Sequence, residues 1–214
     1  MKKTILMSLL LSCSIIISAQ IKAVTENGDT INVYENGTWE KLINNVDIVE
    51  IESTVEANVT VDEFDNKKII STEYWVNFGS NTLNKKISGR LLKVNDMSVF
   101  IITYYGDLGC FSEYTTTMKV KLSNGTVIEF SQISGTDCGD SPTACFIPLT
   151  REELKNPDYQ IIFDENIDQL KNYDWVTIRL TGSEYYTDIT PLKTKKIENP
   201  EQFFRQHIIA AENK

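Results

Sequence analysis

The residues of this chain best suited to chemistry are its cysteines and its single histidine. A zinc site needs four ligands, and the mature chain would offer them at Cys110, Cys138, Cys145 and His207. These positions lack the closely paired spacing of structural zinc modules. A cysteine or serine nucleophile would need His207 as its base, but His207 lies among apolar residues near the C-terminus, where a packing role is the simpler interpretation. The sequence therefore predicts no catalytic residue, no metal site and no cofactor.

Two aspartates flank Cys138 in a glycine-rich loop. Asp137 and Asp140 mark a possible loop site, because carboxylates can help to bind calcium or act as a pair in hydrolysis. The loop lacks the twelve-residue pattern of a dedicated calcium site. Solvated loop acids are the simpler interpretation.

Aromatic side chains are the third lead, because flat rings stack on the apolar faces of sugars and peptides. The candidates are Trp75, Tyr104, Tyr105, Trp175, Tyr185 and Tyr186. Neighbouring side chains of a strand point to opposite faces, so each adjacent tyrosine pair should give one ring to the core and one to the surface. Core packing explains most of these rings.

Beyond residue 66 the chain reads as short strands separated by turn residues. The strand candidates are residues 68–78, 88–94, 98–105, 114–122, 126–134, 145–149 and 175–181. Several of them alternate apolar and polar residues. This spacing predicts a mostly β fold, built as an antiparallel β-sandwich or partial barrel.

The segment 114–134 is the most constrained part of the sequence, because it folds about an Asn-Gly pair. With Gly125 left-handed in a three-residue loop, the numbers of paired residues sum to 248. This register places Val120 opposite Ile128 on one face and a lysine opposite a glutamate on the other. A two-residue loop would mix the apolar and charged faces, so alternation favours the first register.

The same register, extended outward, places Cys110 opposite Cys138. In an oxidising compartment this pair would form a disulfide that closes a loop of about 28 residues and stabilises by roughly 3 to 4 kcal/mol. The competing disulfide joins Cys138 to Cys145 around a short Gly-Pro-containing turn. With the first pairing, Cys145 remains as a free thiol at the start of an apolar strand.

Three segments carry helix signals. Thr150 and Glu153 form a capping box, and residues 167–170 suggest a second short turn. Asn199 and the proline after it begin a C-terminal helix over 203–212, whose apolar face should dock on the sheet.

Residues 20–43 contain two Asn-Gly pairs nine residues apart. As two-residue hairpin turns, they predict a three-stranded β-meander in which Val24 faces Ile31 and Tyr34 faces Trp39.

The meander carries a pattern with steps of three residues. Thr-x-x-Gly-x-x-Ile-x-x-Tyr-x-x-Gly-Thr-Trp is matched at Thr25, Gly28, Ile31, Tyr34, Gly37, Thr38 and Trp39. In this pattern the chain resembles a group of uncharacterised exported bacterial proteins that carry it at the mature N-terminus. The resemblance covers about 15 residues. It implies export in a bacterium and no particular activity.

Residues 1–19 have the features of a secretory signal: two lysines, an apolar run over 5–17 and small residues before the cleavage point. The run is too short to span a membrane, so cleavage after Ala19 would leave no integral membrane segment. The alternative is a lipoprotein in which Cys13 becomes the acylated first residue.

The chain is acidic, with 21 basic and 30 acidic residues and a net charge of -9. Loss of the two leader lysines would make the net charge -11. Nucleic acid is therefore excluded as an expected partner, because phosphate binding needs a basic face. The expected partners are proteins, peptides or glycans.

The predicted organisation is a signal peptide over 1–19, a β-meander over 20–43, an acidic linker or edge strand over 44–65, an antiparallel β domain over 66–198 and a C-terminal helix over 199–214. We expect an exported protein, periplasmic or extracellular, that serves as a noncatalytic binding or structural β domain of the cell envelope. A hydrolase that acts on envelope polymers through loop carboxylates is the alternative.

Overall fold

The computed structural model describes residues 21–24, 30–34, 37–41, 52–64 and 67–214. The predicted signal peptide, with Cys13, and residues 44–51 of the acidic segment lie outside the described residues. The chain divides into two compact units, Met1–Glu50 and Ile51–Lys214.

The described part of the first unit is a three-stranded antiparallel sheet. Its strands, in spatial order, are β1 (Ile21–Val24), β2 (Thr30–Val33) and β3 (Trp39–Lys41).

Both predicted registers of this meander are wrong by one residue. Val24 faces Thr30 instead of Ile31. Trp39 faces Val33, and Tyr34 bonds to Thr38 instead. In the second hairpin the physical reason is loop length: three residues separate Tyr34 from Thr38, and Gly37 has a φ of 79°, the left-handed conformation that three-residue hairpin loops require.

The second unit contains ten strands and two α-helices among its described residues. The strands are β4 (Ala57–Val61), β5 (Lys68–Thr72), β6 (Trp75–Ser80), β7 (Lys86–Val94), β8 (Met97–Tyr105), β9 (Thr117–Leu122), β10 (Val127–Gln132), β11 (Thr143–Ile147), β12 (Trp175–Thr181) and β13 (Tyr186–Pro191). The helices are α1 (Tyr159–Asn172) and α2 (Phe203–Glu212).

Eight of these strands close into an antiparallel barrel in the order β7-β6-β13-β12-β9-β10-β11-β8, with β8 pairing back to β7. The prediction of a mostly β antiparallel fold is confirmed, and the closed barrel takes the place of the sandwich and the partial barrel. Strand β5 pairs with the second half of β7, and β4 pairs with β5 outside the ring.

The connections divide the barrel into two ends. The "disulfide end" carries the turns and loops over 81–85, 106–116, 133–142 and 182–185. The "helix end" carries α1, α2 and the loop over 192–202 that joins β13 to α2.

The barrel interior is filled by the alternate residues of its strands. Those of β9 show the pattern, because Met118, Val120 and Leu122 are buried while Lys119 and Lys121 are exposed. Inward alternation of this kind is what a small closed barrel needs, since its interior is just wide enough for side chains.

Helix α2 adds two phenylalanines to this interior. The Phe203 ring stacks on Phe78 with 3.9 Å between centroids. Phe204 packs edge-on against Phe100 at 5.1 Å and lies 5.7 Å from Phe130. Gly89 of β7 makes room, because a Cβ there would lie 3.3 Å from the Phe203 ring and closer still to β8. His207 of the same helix is fully buried as well, so the buried surface of α2 extends beyond its apolar residues.

Helix α1 is longer than the short turn predicted at 167–170. Phe163, Ile167 and Leu170 are buried on one face of this 14-residue helix. Its C-terminal carbonyls are satisfied by Arg205 of α2, whose guanidinium donates to the Lys171 carbonyl at 2.9 Å and the Asn172 carbonyl at 2.8 Å. The two helices are therefore joined by packing and by a cation at the negative end of α1.

The hairpin of β9 and β10 has the predicted register. Val120 faces Ile128, and the Lys119 ammonium lies 2.9 Å from the Glu129 carboxylate on the outer face. Gly125 has a φ of 90°. The pairing resumes where Phe111 and Asp137 exchange two backbone hydrogen bonds, beside the disulfide that joins Cys110 to Cys138.

Two start signals read from the sequence are also present. Thr150 and Glu153 bond reciprocally, with the Thr150 amide donating to the glutamate at 2.7 Å and the Glu153 amide donating to the threonine at 3.2 Å. Pro200 opens a 3-10 turn, Pro200–Gln202, before α2, although Asn199 makes no side-chain cap bond.

Among the described residues, every helix is too short or too polar to cross a lipid bilayer.

We predict that Phe203→Ala lowers the free energy of unfolding by about 3 to 5 kcal/mol, because it removes a fully buried ring and leaves a cavity between Phe78 and Phe100. Urea unfolding followed by tryptophan fluorescence measures the change. Tyr114→Ala is the matched control at a ring 77% exposed, and it should change stability by less than about 0.5 kcal/mol. Equal losses in the two variants would contradict the role of α2 in the core.

We predict that Cys110→Ser combined with Cys138→Ser lowers the free energy of unfolding by about 3 to 4 kcal/mol, because the disulfide closes a loop with a sequence separation of 28. Reductant should lower the free energy of unfolding of the wild type by the same amount and leave that of the double variant unchanged. A Cys145→Ala variant should keep the response to reductant, and its loss there would mean that Cys145 takes part in the disulfide.

Candidate functional site

The loop at the disulfide end holds Asp137 in a structural role. Its backbone bonds to Phe111 in both directions, and its carboxylate accepts a hydrogen bond of 2.8 Å from the Thr143 amide at the start of β11. Asp140 is exposed three residues further along. The Asp137 carboxylate therefore fixes the loop between β10 and β11.

Cys145 is a free thiol on the outer side of β11. Burial raises the pKa of this thiol, an effect partly offset by a hydrogen bond to Ser134 and by the charge of Arg90. A raised pKa keeps the sulfur protonated and poorly nucleophilic at neutral pH. With Cys110 and Cys138 joined to each other, the four ligands of the zinc hypothesis are not brought together.

In the described ranges, no group of three or more histidine, cysteine, aspartate or glutamate side chains is arranged to hold a metal ion.

His207 lies inside the core, on the face of α2 that meets β5. Its Nδ1 atom is 2.6 Å from the Thr72 hydroxyl, and its ring packs 4.4 Å from Phe203 and 5.1 Å from Trp75 between centroids. Its Nε2 atom is buried without a hydrogen-bond partner. Burial lowers the pKa of His207 to about 3, so the ring is neutral at physiological pH.

Two adjoining clefts at the helix end are the best candidate for a binding site. They share Trp75 and the turn over 195–197, and we call them the paired clefts. Their volumes are about 290 Å³ and 490 Å³. The smaller cleft also has Gln202 and Gln206 in its wall, and the larger one has Tyr74 and Asn77. Cavities of this combined size accommodate small ligands or a few units of a polymer.

A threonine turn builds the shared wall. The Thr194 hydroxyl accepts hydrogen bonds from the Lys196 amide at 3.3 Å and the Ile197 amide at 3.1 Å, and the Thr194 amide donates to the Ile197 carbonyl at 3.0 Å. Ile197 is buried and anchors the turn, while Lys195 and Lys196 are exposed. The turn thus presents two adjacent ammonium groups beside the clefts.

A β-bulge in β6 positions Trp75. Asn77 has a φ of 59° and its amide donates to the buried Ser88 hydroxyl at 2.8 Å, where the register with β7 shifts. Without the extra residue, Trp75 and Phe78 would point to opposite faces, because their spacing is odd. With it, both rings face inward, and Trp75 forms the floor of the paired clefts.

The lining of the paired clefts is neutral in sum on a chain of net charge -9, because the shared Lys195 and Lys196 are matched by Glu198 in the smaller cleft and Glu73 in the larger. Lys195 and Lys196 make no ion pair with any described residue, and each cleft contains one carboxylate. In the larger cleft that carboxylate belongs to Glu73, which accepts a hydrogen bond of 3.1 Å from the Trp75 indole. The two exposed lysines, which have no ion-pair partner among the described residues, are therefore the groups of the clefts that would meet an anionic ligand.

Two other surface cations, Arg179 and Lys119, are already paired with carboxylates. On the outer face of β9, β12 and β13, Arg179 makes two hydrogen bonds of 2.7 Å to Asp188, and the pKa of that carboxyl is lowered by them. Lys119 is paired with Glu129. In the cleft on this face, Lys121 is therefore the one lining cation without an ion pair among the described residues.

Comparison of the chain with models of known protein families, with curated proteins and with solved structures gives no match. The site therefore has to be argued from its own geometry.

Of the aromatic residues singled out in the sequence, only Trp75 lines the paired clefts. Trp175 is buried, with its indole donating to the Pro200 carbonyl at 2.7 Å. Tyr104 is buried and Tyr105 is exposed, as strand alternation predicts. Tyr185 and Tyr186 are both 62% exposed, because Tyr185 precedes β13 instead of lying within it.

Neither the lysines of the turn nor Tyr74 is among the residues that the sequence predicts for a site. The cluster of three lysines at 193–196, unusual in so acidic a chain, is the signal that could have found the turn.

We predict an acid sensitivity of stability that depends on His207. The unfolded histidine binds a proton below about pH 6.5, whereas the folded one does so only near pH 3, so the free energy of unfolding falls as pH drops through this window. The histidine should contribute a loss of about 2 kcal/mol between pH 7 and pH 5. Urea unfolding at both values measures it.

His207→Gln is the matched variant, since an amide can bond to Thr72 without titrating in this range. Its stability should fall less between pH 7 and pH 5 than that of the wild type, by about the same 2 kcal/mol. Parallel losses in both proteins would show that His207 is not the group responsible.

Proposed function

We propose that this protein is an exported, noncatalytic binding domain of the bacterial cell envelope, and that its paired clefts bind an acidic saccharide. The observation that carries the proposal is the pair of exposed lysines, Lys195 and Lys196, which make no ion pair with a described residue and line the clefts beside the ring of Trp75.

The chemistry of the clefts supports a saccharide. Glutamine and asparagine side chains donate and accept hydrogen bonds as sugar hydroxyls do, and Gln202 and Asn77 lie in the two walls. Tyr74 adds a partly exposed ring whose hydroxyl donates to Thr103 at 2.8 Å and is thereby held in place. The lysines would then meet the carboxylates of the ligand.

Export is supported by two observations. The Cys110–Cys138 disulfide is typical of an oxidising compartment. The resemblance of the N-terminal pattern to exported proteins points the same way.

The hydrolase alternative has weaker support. Its carboxylates would be Asp137 and Asp140, and the first of these is already bonded to the Thr143 amide. Neither aspartate lines the paired clefts or the cleft on the outer face of β9, β12 and β13.

We predict that an oligosaccharide of galacturonic acid binds the protein and that the neutral galactose oligomer of equal length binds at least about tenfold more weakly. Lys195→Gln combined with Lys196→Gln should weaken binding of the acidic oligomer by about five- to thirtyfold, since each exposed ion pair contributes up to about 1 kcal/mol. Isothermal titration calorimetry measures both. The affinity should also fall with added salt.

The matched control is Lys121→Gln combined with Lys155→Gln, which removes the same charge from exposed positions outside the paired clefts. Its affinity should stay within about twofold of wild type. Equal weakening of binding by both double variants would mean that only the net charge of the protein matters, and it would contradict binding in the paired clefts. Equal binding of the neutral oligomer would contradict the ligand class.

A further inference from the structure

The described part of the second unit has one sheet edge that the barrel does not close, and it belongs to β4. Strand β4 pairs with β5 on one side only. Closed barrels have no free edges, so β4 restores the kind of surface that a barrel otherwise removes.

The hydrogen bonds at the two ends of the β4–β5 ladder identify the free groups. The Glu73 amide donates to the Glu56 carbonyl at 2.8 Å, and the Asp62 amide donates to the Lys67 carbonyl at 2.9 Å. Because bonded and non-bonded pairs alternate in an antiparallel ladder, Asn58 and Thr60 also bond to β5. The amides and carbonyls of Ala57, Val59 and Val61 therefore point away from β5.

The free edge carries none of the usual defences against pairing. Its sequence, Ala-Asn-Val-Thr-Val, has no proline, no charge and no lysine, and Val59 and Val61 are 42% and 55% exposed. Phe64 follows in the next turn with 99% of its surface exposed. These apolar groups favour an added strand with apolar side chains of its own.

The charges around β4 select the partner. Glu52, Glu56 and Glu63 are exposed near its ends and make no ion pair with any described residue. In a two-fold antiparallel pairing of two copies centred on Val59, Glu56 of one copy would lie opposite Asp62 of the other. Like charges directly opposite each other destabilise a strand pair, so self-pairing is disfavoured and a basic partner is favoured.

We propose that β4 is a docking edge for an extended segment of a partner protein, in which alternating apolar residues are flanked by lysine or arginine. The segment adds to the sheet as a further strand. Its backbone bonds to Ala57, Val59 and Val61, and its basic residues meet Glu56 and Glu63. This inference is independent of the paired clefts.

The test uses the whole protein and the peptide Lys-Lys-Val-Thr-Val-Thr-Val-Lys-Lys, blocked at both ends and labelled for fluorescence anisotropy. The peptide with glutamate in place of each lysine is its matched probe. We expect the basic peptide to bind at least about tenfold more tightly than the acidic one. Comparable binding of the two peptides would overturn the proposal.

Two variants at one position separate strand addition from general charge attraction. Val59→Pro removes an outward amide while leaving the ladder to β5 intact, and Val59→Thr keeps that amide. The proline variant should bind the basic peptide at least about tenfold more weakly, and the threonine variant within about twofold of wild type. Equal binding by both variants would overturn the proposal. Val61→Lys is a second, surface variant that should also weaken binding of the basic peptide.

Amide hydrogen exchange in the unmodified protein gives a readout that needs no substitution. The amides of Val59 and Val61 should exchange rapidly alone and become protected when the basic peptide is added. Binding without this protection would place the peptide elsewhere and overturn the proposal. Protection that rises with protein concentration alone, together with a doubled mass in sedimentation, would assign the edge to a second copy and overturn it too.

Discussion

The rings of Phe203 and Phe204 fill the helix end of the barrel, and most of the remaining structure depends on that contact. An eight-stranded barrel is just wide enough for side chains to meet at its centre. Rings from β6, β8 and β10 converge there, and α2 brings the two that complete the cluster. The neutral His207 and the floor of the paired clefts belong to the same cluster, because Trp75 packs against both Phe203 and His207. The paired clefts therefore lie on the outer side of this aromatic cluster, with Trp75 between the two.

The register of β9 and β10 could be predicted because two independent faces constrain it. Apolar residues must face each other inside, and Lys119 must face Glu129 outside, so only one loop length satisfies both. The disulfide could be predicted from the same register, because the numbers of Cys110 and Cys138 also sum to 248, although the pairing of β9 with β10 does not extend to them without interruption. Residues 112–116 and 132–136 interrupt the pairing with equal lengths, and the register is therefore unchanged at Phe111 and Asp137. In the meander, the Asn-Gly pairs alone determine the prediction and no second face constrains it. Its registers are therefore wrong by one residue.

The rest of the site could not be read from the sequence for physical reasons. The bulge at Asn77 is a tertiary feature: only the need to bury both Trp75 and Phe78 explains it, and that need is invisible until the barrel closes. Helix α1 has a readable apolar spacing, but its N-cap residue Asp158 makes no side-chain cap bond, so the start signal is absent. The lysine turn and Tyr74 are more than 110 residues apart in the chain. They become neighbours because β13 pairs with β6.

The two proposed surfaces respond in opposite ways to the acidity of the chain. A net charge of -9 repels an anionic saccharide at long range, so the paired clefts must hold it by contacts within their walls. At physiological salt the repulsion is screened beyond about 8 Å, and Lys195 and Lys196 are then the groups of the clefts that meet the carboxylates of the ligand. A basic strand that approaches β4 is attracted both by the whole chain and by Glu56 and Glu63. The acidity of the chain thus attracts a basic partner to the free edge of β4 and disfavours the pairing of two copies there. At the paired clefts, the same acidity means that only close contacts hold an anionic ligand.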